Sequence, residues 1–405
     1  MDLGRHLEWY DDQPRLRAGQ LTEVVERSRL LGRGGAGFPT AGKLRAVARR
    51  RRAAVVVVNA MEGEPHSRKD GHLLSVVPHL LLDGAALAAR EVGADRVVVA
   101  AARDRGQPLV SLQQAAAERR SRLDDHVEVE VLGGPPRYVG GEETALVNWL
   151  NGGPTRPLAT PPRPYERGVD GRPTLILNGE TAAHLALIAR YGSSWFRSVG
   201  TPDMPGTALV TVTGDVVRPG VAEVAVGAPL RMIVEAYEPL GEPAAVLAGG
   251  YFGGWLPWGA AAGLTADPKI LQGAGAGWGP GILVVAAAGT CVVAETARIL
   301  QYLAGEGAGQ CGPCVHGVTA VAEDFAALSA GRDRSLVLDR LRRRIELIDG
   351  RGACALPDGV RRLAESVLVG FGEHVQEHLR RGGCRAVRRL PLTLPQRPRS
   401  EAEWR

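Results

Sequence analysis

The sequence predicts an α/β protein whose first half is an open parallel sheet, followed by a smaller strand-rich segment and a helical C-terminal part. Residues 54–59 form a continuous apolar run, which is typical of a parallel strand buried on both faces. Strand and helix patterns then alternate as far as residue 178, which indicates βα units. After residue 289 the apolar positions follow a helical period.

The first half contains four predicted strands separated by helices. The strands lie at 54–59, 96–102, 126–132 and 174–178, and the helices at about 73–91, 107–120 and 142–151. This alternation predicts a Rossmann-like sheet, in which ligands bind at the carboxyl ends of the strands. Residues 59–70 follow the first strand, so we expect them at that edge.

The second half is predicted to divide into a β-grasp-like module and a small helical bundle. Strands at 208–213, 221–226 and 244–248 with a short helix at 229–237 predict the module. Helices at about 292–304, 313–330, 335–348, 357–371 and 372–381 suit the bundle. The predicted domains are therefore 1–200, 201–275 and 276–385, and residues 386–405 are expected to form a mobile tail.

The composition argues against a nucleic-acid-binding or membrane-inserted protein. The net charge is only +5 from 49 basic and 44 acidic residues, and the aromatic content is 5%, with no interleaving of basic and aromatic residues. The N-terminus shows no secretory signal, and the uncharged stretches near 245–266 and 270–294 are interrupted by glycine and proline. We expect a cytoplasmic protein, free or peripheral to a membrane complex.

Residues 32–43 are a glycine-rich loop with five glycines in eleven positions, read from Gly32 to Gly42. Glycine allows the backbone to present convergent N–H groups to a ligand, and such groups with a nearby cation bind phosphate. Lys43 closes the loop and is one of three lysines in a chain that otherwise uses arginine, which favours a compact ammonium there. An ordinary surface turn is the alternative.

The five cysteines indicate a metal site rather than a disulfide framework. Their number is odd, the chain has a cytoplasmic character, and four of them follow residue 300. Cys291 lies in an apolar context and is interpreted as a packed residue.

Four segments in this order resemble one known family. They are the glycine loop, Asn59–Pro65 with Lys69-Asp70, Tyr138–Leu146, and Cys311-Gly312-Pro313-Cys314. Together they resemble the flavin-carrying, NADH-oxidising subunit of respiratory complex I and the diaphorase subunits of NAD-linked hydrogenases and formate dehydrogenases. The resemblance spans about 30–375. It implies an FMN-binding domain, a ubiquitin-like module and a helical bundle that carries one [4Fe–4S] cluster.

The resemblance also implies roles for individual residues. The residues expected to bind the FMN phosphate are Gly32, Arg33, Gly34, Gly35 and Lys43, and those expected near the flavin are Asn59, Glu62, Gly141, Glu142 and Asn178. Phe38 and Glu64 are expected to help place NADH, and Glu143 with Glu64 is assigned to the catalytic site. For Glu142 and Glu143 the alternative is a purely structural charge at a helix N-terminus.

The chain departs from the family pattern at several positions. Met61 replaces an aspartate, Leu177 replaces an asparagine, and the Lys-Pro-Pro-Phe-Pro segment reads Thr-Pro-Pro-Arg-Pro at 160–164. The FMN half of the site is therefore better preserved than the NADH half.

The implied cluster site lacks one thiolate. Cys311, Cys314 and Cys354 match three ligands, but Ala308 stands at the first position. A cubane normally takes four thiolates, so the sequence leaves open a [3Fe–4S] centre or a [4Fe–4S] centre with another ligand, such as Glu306 or a small molecule. Cys384 is a distant replacement, and zinc or no metal are the remaining alternatives.

Three functions follow from these observations. The first is an NADH:acceptor oxidoreductase that passes electrons through FMN and the cluster to a ferredoxin or a [2Fe–2S]-type partner subunit. The second is an FMN and iron–sulfur relay that no longer binds NADH, and the third is a structural or assembly subunit without redox cofactors.

Overall fold

The computed structural model describes residues 1–50, 52–122, 127–386, 390, 392, 394–395 and 401–405. The chain divides into two compact units. The first comprises Met1–Gly63, Arg68–Leu209 and Ser400–Arg405, and the second comprises Glu64–Ser67 and Val210–Arg399.

The first unit is built around a four-stranded parallel sheet, as predicted. Its strands are β1 (Ala54–Ala60), β2 (Ala94–Ala102), β3 (Glu128–Gly134) and β4 (Thr174–Asn178), in the order β3-β2-β1-β4. The predicted start of β3, residue 126, lies outside the described residues. The strand order reverses between β1 and β4, and their last polar residues, Asn59 and Asn178, are paired in register. Such a reversal creates a ligand-binding crevice at the carboxyl edge.

Helices cover both faces of this sheet. They are α1 (Leu3–Tyr10), α2 (Gln20–Ser28), α3 (Thr40–Ala48), α4 (Lys69–Val76), α5 (Pro78–Val92), α6 (Gly106–Arg122), α7 (Glu143–Leu150) and α8 (Gly179–Phe196). Val56 and Val58 belong to a core shared with α2, α3, α5 and α8, whereas Val55 and Val57 share a core with α7. This double burial explains why residues 54–58 are apolar without alternation.

The stretch predicted as helical at about 73–91 is helical but broken, because the structure has two helices there, α4 and α5, bent by 98°. Pro78 is the cause. It has no N–H for the preceding turn and disfavours a helical conformation at the residue before it, and Val77 has φ −133° and ψ 52°.

The second unit contains a five-stranded mixed sheet. Its strands are β5 (Thr207–Gly214), β6 (Gly220–Ala225), β7 (Pro243–Ala248), β8 (Gly254–Pro257) and β9 (Ile282–Ala287), in the order β6-β5-β9-β7-β8. β9 is parallel to β5 and antiparallel to β7. The central strand therefore lies beyond residue 275, where the module was predicted to end, because Ile282–Ala287 is a fully buried apolar run that pairs on both edges.

The remaining helices belong to the second unit. They are α9 (Leu230–Glu235), α10 (Trp258–Ala261), α11 (Pro268–Gly273), α12 (Val292–Gly305), α13 (Thr319–Ser329), α14 (Val337–Ile348), α15 (Leu356–Gly370) and α16 (Gly372–Arg381). α13 is preceded by a π-helical turn, Pro313–Val318, where the sequence predicted one continuous helix over 313–330. α12 packs on α13 and α15, and α14 packs on α13 and α15.

Half of the predicted tail, 386–405, lies outside the described residues. Its last turn, Glu401–Trp404, is packed rather than mobile. The buried Trp404 ring lies 4.3 Å from the Arg137 guanidinium carbon, and its carbonyl accepts hydrogen bonds from the Thr155 backbone N–H and hydroxyl. The contact between an aromatic ring and a guanidinium group fixes the position of this last turn. The proline- and arginine-rich composition of the tail as a whole did not indicate such packing.

Within the described ranges, no single helix has the length and apolar composition needed to cross a membrane. α4 and α5 meet that criterion only when they are taken together across their bend.

Candidate functional site

The glycine loop is a closed turn in the first unit. A bridge between Leu31 and Pro39 and a hydrogen bond from Gly32 N–H to the Phe38 carbonyl, at 2.9 Å, join its two ends, and α3 begins directly afterwards. Gly35 (φ 111°) and Gly37 (φ 61°) adopt left-handed conformations that other residues rarely take. The loop shape therefore depends on these two glycines.

The loop is seated on the start of α8. A Cβ atom at Gly34 would lie 3.3 Å from the Asn178 Cβ atom, so this position favours glycine. The Arg33 N–H donates to the Thr181 hydroxyl at 2.9 Å, and its guanidinium donates to the Pro205 carbonyl at 3.2 Å. Burial lowers the pKa of Arg33, although the Glu180 carboxylate counteracts this effect. The geometry gives the Arg33 side chain the role of anchoring the loop.

Lys43 is the cation that follows the loop, on the first turn of α3. Its Nζ lies 3.4 Å from Glu143 Oε2, 3.4 Å from the Ile176 carbonyl oxygen in β4, and 6.0 Å from the centre of the Phe38 ring. The side chain is one-third exposed, and the Phe38 ring is 54% exposed. Because both polar contacts are long, the ammonium can exchange them for a stronger anionic partner.

A buried ion network fixes the carboxyl edge of β1 and β4. The Lys69 Nζ atom lies 3.1 Å from Asp70 Oδ1, 3.1 Å from Asn178 Oδ1 and 3.0 Å from Glu180 Oε2, and its side chain is 1% exposed. The sequence placed Lys69 and Asp70 in a motif but gave them no role. The scarcity of lysine was the available signal, since Lys69 is one of only three.

Each charge in this network shifts the pKa of the others. Burial alone would lower the pKa of Lys69, but the Asp70 and Glu180 carboxylates raise it above its usual value. For Glu180, burial acts upward, yet Lys69, His184 and Arg33 lower its pKa to about 2. Burial raises the pKa of Asp70 to about 6, Lys69 opposes this shift, and the Glu62 charge adds to it.

Two asparagines hold the same edge in place. The Asn59 side-chain amide donates to the Gly141 carbonyl at 2.7 Å, and its Oδ1 accepts from the Met61 N–H at 3.2 Å. Asn178 caps α8 by accepting from the Glu180 N–H at 3.1 Å, and it donates to Asp70 Oδ2 at 3.0 Å. Asn59 and Asn178, both predicted to contact the flavin, therefore also connect β1, β4 and the turn Tyr138–Gly141 through hydrogen bonds.

Glu62 has an unusual backbone conformation, with φ 46°. Its carboxylate accepts hydrogen bonds from the N–H groups of Asp70 and Gly71 at 3.0 and 3.1 Å, at the N-terminus of α4. A left-handed non-glycine residue costs on the order of 1–3 kcal/mol, and it persists where the surroundings hold it. Here the helix N-terminus holds the side chain, so the chain directly after β1 keeps this strained form.

The acidic pair has two different roles. Glu142 is the N-cap of α7, where Oε2 accepts from the N–H groups of Thr144 and Ala145, each at 2.9 Å, and burial raises its pKa. Glu143 is one-third exposed, and its carboxylate lies 3.4 Å from Lys43 Nζ and 3.9 Å from Arg163 Nη1. Glu142 therefore has the structural role considered above, a charge at a helix N-terminus. Glu143 does not cap the helix, and its exposed carboxylate is available to a ligand.

Alanine substitutions should separate these two roles. Glu142→Ala is expected to lower the free energy of unfolding by about 1–2 kcal/mol, because α7 loses its N-cap. Glu143→Ala is expected to change it by less than about 0.5 kcal/mol, because exposed ion pairs contribute little. Urea unfolding monitored by circular dichroism measures both values. Equal losses in the two variants would contradict the assignment.

The departures from the family pattern have packing explanations. Met61 is buried in the core between the sheet and α7, and Leu177 is buried in the core on the opposite face. Neither side chain presents a polar group. Arg163 is exposed and reaches Glu143, so a cation is retained beside the acidic residue.

Glu64 belongs to the second unit. Its side chain is buried, and Oε2 accepts a hydrogen bond from the Tyr251 N–H at 3.0 Å. A Cβ atom at Gly250 would lie 2.8 Å from the Glu64 carboxyl, so the chain approaches this carboxylate closely.

The second unit also contains the predicted cysteine ligands. Cys311 and Cys314 lie at the start of the π-helical turn, and the Gly309 N–H donates to Cys314 Sγ at 3.4 Å. Burial raises the pKa of Cys314, and the neighbouring Cys311 adds to this shift. Cys354 lies in the loop that precedes α15, a helix that packs on this turn. Gly317 allows the turn to approach α14, since a Cβ atom there would lie 2.2 Å from Ile348.

Two further residues bear on the missing ligand. Glu306, at the C-cap of α12, is buried only two residues before Ala308. Cys384, considered above as a distant replacement, instead lies beside Cys291 and two histidines.

Comparisons with known proteins identify similar sequences. Residues 25–187 match the family described as the Nuo51 FMN-binding domain, and residues 294–378 match the NADH-ubiquinone oxidoreductase-F iron-sulfur binding region. The chain is 31% identical over 381 residues to an NADH-quinone oxidoreductase F-subunit of Rhizobium meliloti (strain 1021), covering 90% of each chain. It is 33% identical over 383 residues to the corresponding F-subunit of Mycobacterium tuberculosis (strain ATCC 25618 / H37Rv), covering 89% of this chain and 85% of the relative.

A solved structure shows the same fold. A chain of an NAD+-reducing [NiFe]-hydrogenase in the H2-reduced state superposes with a TM-score of 0.85 at 31% identity. The match covers 93% of this chain and 67% of the hydrogenase chain.

Proposed function

Because this chain belongs to the family of NADH-quinone oxidoreductase F-subunits, we propose that it takes electrons from NADH within a larger electron-transfer assembly. The protein is an NADH-oxidising oxidoreductase that uses FMN and an iron–sulfur cluster of the [4Fe–4S] class. The observation that carries this proposal is the closed glycine loop seated on the start of α8, with Lys43 reaching the Ile176 carbonyl in β4.

The residues of the loop fit FMN. Gly35 and Gly37 adopt left-handed backbone conformations, and Gly34 lies against Asn178 without a side chain in between. Lys43 supplies a cation with only long contacts to its present partners. Such a combination of loop N–H groups and an ammonium suits a phosphate monoester.

The chain's own residues bind and orient the cofactor and substrate. Lys43 and the loop would hold the phosphate, and Asn59 and Glu62, at the end of β1 and directly after it, would hold the ring system. Glu143 and the exposed Phe38 ring lie beside Lys43, where they can position NADH and cover the ring. When bound, FMN supplies hydride acceptance and one-electron release, which no amino-acid side chain provides.

The cysteine segment fits an iron–sulfur cluster with one unusual ligand. Cys311, Cys314 and Cys354 are half-buried and form no disulfide, and the N–H···S hydrogen bond from Gly309 would stabilise a thiolate at Cys314. Ala308 leaves the fourth position to Glu306 or to a small molecule, and a [3Fe–4S] centre would need no fourth ligand.

We also propose the finer organisation and the partners. The mixed sheet β5–β9 with α9 serves as the ubiquitin-like β-grasp module, and α12–α16 serve as the bundle around the cluster. The electron acceptor is a ferredoxin or a [2Fe–2S]-type partner subunit, which suits a chain that passes on electrons one at a time. The protein would then be a cytoplasmic component peripheral to a membrane complex.

An anaerobic titration with NADH tests the proposed function. The purified full-length chain, reconstituted with FMN, is expected to show rapid bleaching of the flavin absorbance at about one NADH per flavin. Retention of FMN without any bleaching would identify a relay that does not use NADH. Absence of FMN binding after reconstitution would overturn the flavoprotein function altogether.

Lys43→Met is expected to weaken FMN binding by roughly 10- to 100-fold, because a charge-assisted contact to phosphate contributes about 1.5–3 kcal/mol. Fluorescence quenching of FMN on titration with the apoprotein measures the dissociation constant. Riboflavin, which lacks the phosphate, should bind the wild-type and Lys43→Met chains with equal affinity. Lys269→Met is the matched control, because Lys269 is an exposed lysine in the second unit. Equal FMN affinity of the Lys43→Met and wild-type chains would contradict the phosphate contact.

A further inference from the structure

A second set of potential metal ligands lies in the helical part of the second unit. Cys291, His374, His378 and Cys384 bring one ligand atom each to within 4.8 Å of all the others. Cys291 Sγ is 3.6 Å from His374 Nε2 and 3.2 Å from His378 Nε2. Cys291 and His378 are buried, and the other two are half-buried.

The two sulfur–nitrogen distances, 3.6 and 3.2 Å, are close to the edge lengths of a tetrahedron around one ion. With Zn–S bonds of about 2.3 Å and Zn–N bonds of about 2.0–2.1 Å, the ligand atoms of a tetrahedral site lie roughly 3.3–3.8 Å apart. A [2Fe–2S] centre with the same ligand types places its cysteines and histidines on different irons, which would separate sulfur from nitrogen further. The geometry therefore favours a mononuclear site.

Three elements hold the ligands in place. His374 and His378 are four residues apart on α16 and so lie on one face of that helix. Cys291 is the N-cap of α12, and its Sγ accepts a hydrogen bond from the Ala294 N–H at 3.2 Å. Cys384 follows α16 after the left-handed Gly382, which ends the helix.

A further contact orients one of the histidines. His378 Nδ1 lies 2.7 Å from the Ser329 carbonyl oxygen, an acceptor that requires the proton on Nδ1. The lone pair of Nε2 is then directed at Cys291. Metal-bound histidines are commonly fixed in this way by a carbonyl behind the ring.

We propose that Cys291, His374, His378 and Cys384 form a structural zinc site that joins the start of α12 to the end of α16. Two thiolates and two imidazoles are the ligand set that zinc prefers in closed, structural sites. The site shares no ligand with the Cys311, Cys314 and Cys354 set. Cys291, which the sequence alone indicated as a packed residue, is then a ligand.

Metal analysis of the full-length protein, purified without chelators, tests this proposal. The wild-type chain should contain about one zinc per chain, and His374→Ala should reduce zinc by roughly tenfold or more while leaving iron unchanged. Cys314→Ser should do the opposite and lose iron but not zinc. His72→Ala, at an exposed histidine of α4, is the matched control and should change neither metal.

A second measurement does not depend on any variant. Replacement of zinc by Co2+ in the wild-type chain should give the intense visible bands of a tetrahedral cobalt–thiolate site. Absence of both zinc and these bands would overturn the proposal, as would loss of zinc in Cys314→Ser with retention in His374→Ala. Detection of a Cys291–Cys384 disulfide in the intact protein by mass spectrometry would also overturn it.

Discussion

Replacing Lys69 by methionine is expected to lower the free energy of unfolding by about 3–5 kcal/mol, because removing one partner of a buried ion network leaves the other charges uncompensated. The Lys69 side chain is 1% exposed and contacts two carboxylates, Asp70 and Glu180. Methionine has a similar length and an apolar body, so the loss reports the missing charge rather than a cavity. Urea unfolding at neutral pH measures the change. Lys269→Met provides a matched substitution at an exposed lysine.

The effect of Lys69→Met should depend on pH in a defined direction. Without the ammonium, the folded-state pKa of Asp70 rises further above its unfolded value, and that of Glu180 rises from its lowered value. Groups with raised pKa values contribute stability at low pH and lose that contribution as the pH rises. The deficit relative to the wild-type chain should therefore be largest at about pH 7–8 and smaller near pH 4–5.

The wild-type chain should show a different pH dependence. The pKa of Glu180 is lowered to about 2, so its contribution is present above its usual pKa and is lost as the pH falls towards 2. Asp70, with its pKa raised to about 6, contributes in the opposite sense and loses stability as the pH rises through 6. A Lys69→Met deficit that is the same at about pH 5 and pH 8 would contradict the electrostatic explanation.

Gly84→Ala is expected to destabilise the first unit by about 3 kcal/mol or more, beyond the usual cost of overpacking a core. Gly84 lies in α5 where this helix packs on α8, and a Cβ atom would stand 1.7 Å from the Ala182 carbonyl oxygen. The clash is with backbone, so the two helices must separate. Alanine otherwise improves helix stability by about 1 kcal/mol, which makes any loss attributable to packing.

The matched control for this prediction is Gly106→Ala. A Cβ atom at Gly106, the first residue of α6, has no neighbour within 4 Å. Its free energy of unfolding should stay within about 0.5 kcal/mol of the wild-type value. FMN affinity gives a second readout, because α8 begins at Gly179, directly after its Asn178 cap at the ligand edge, and moving the helix would displace Asn178. Wild-type stability of Gly84→Ala would show that α5 and α8 tolerate a wider spacing.

The sequence was sufficient for the parallel sheet but not for every helix boundary. The apolar run at 54–58 directly reflects burial on both faces, so β1 was predictable. The bend at Val77 was missed because the apolar pattern continues through Pro78. Hydrophobic periodicity depends on the side chains, so it does not reveal that proline lacks the backbone N–H of a continuous helix. β9 was missed because its central place in the sheet depends on pairing with β5 and β7, which lie far from it in sequence.

The candidate site was only partly predictable for the same reason. The glycine loop has a local signature, and its shape follows from the residues in it. The Lys69 network and the division of roles between Glu142 and Glu143 depend on which partners the fold supplies, and these partners come from distant segments. The histidines of α16 were visible at a spacing of four, but their significance required Cys291 from another helix.

The contact between Lys43 and Glu143 has a consequence for ligand exchange. The Glu143 carboxylate contacts the Lys43 ammonium and therefore competes with any anionic ligand for it. A small free anion must displace this internal partner, whereas a ligand with further contacts along the loop can do so at little net cost. A ligand that binds Lys43 would leave Arg163, 3.9 Å away, as the remaining cationic partner of Glu143. Occupancy at one end of the site thereby sets the electrostatic state of the other end.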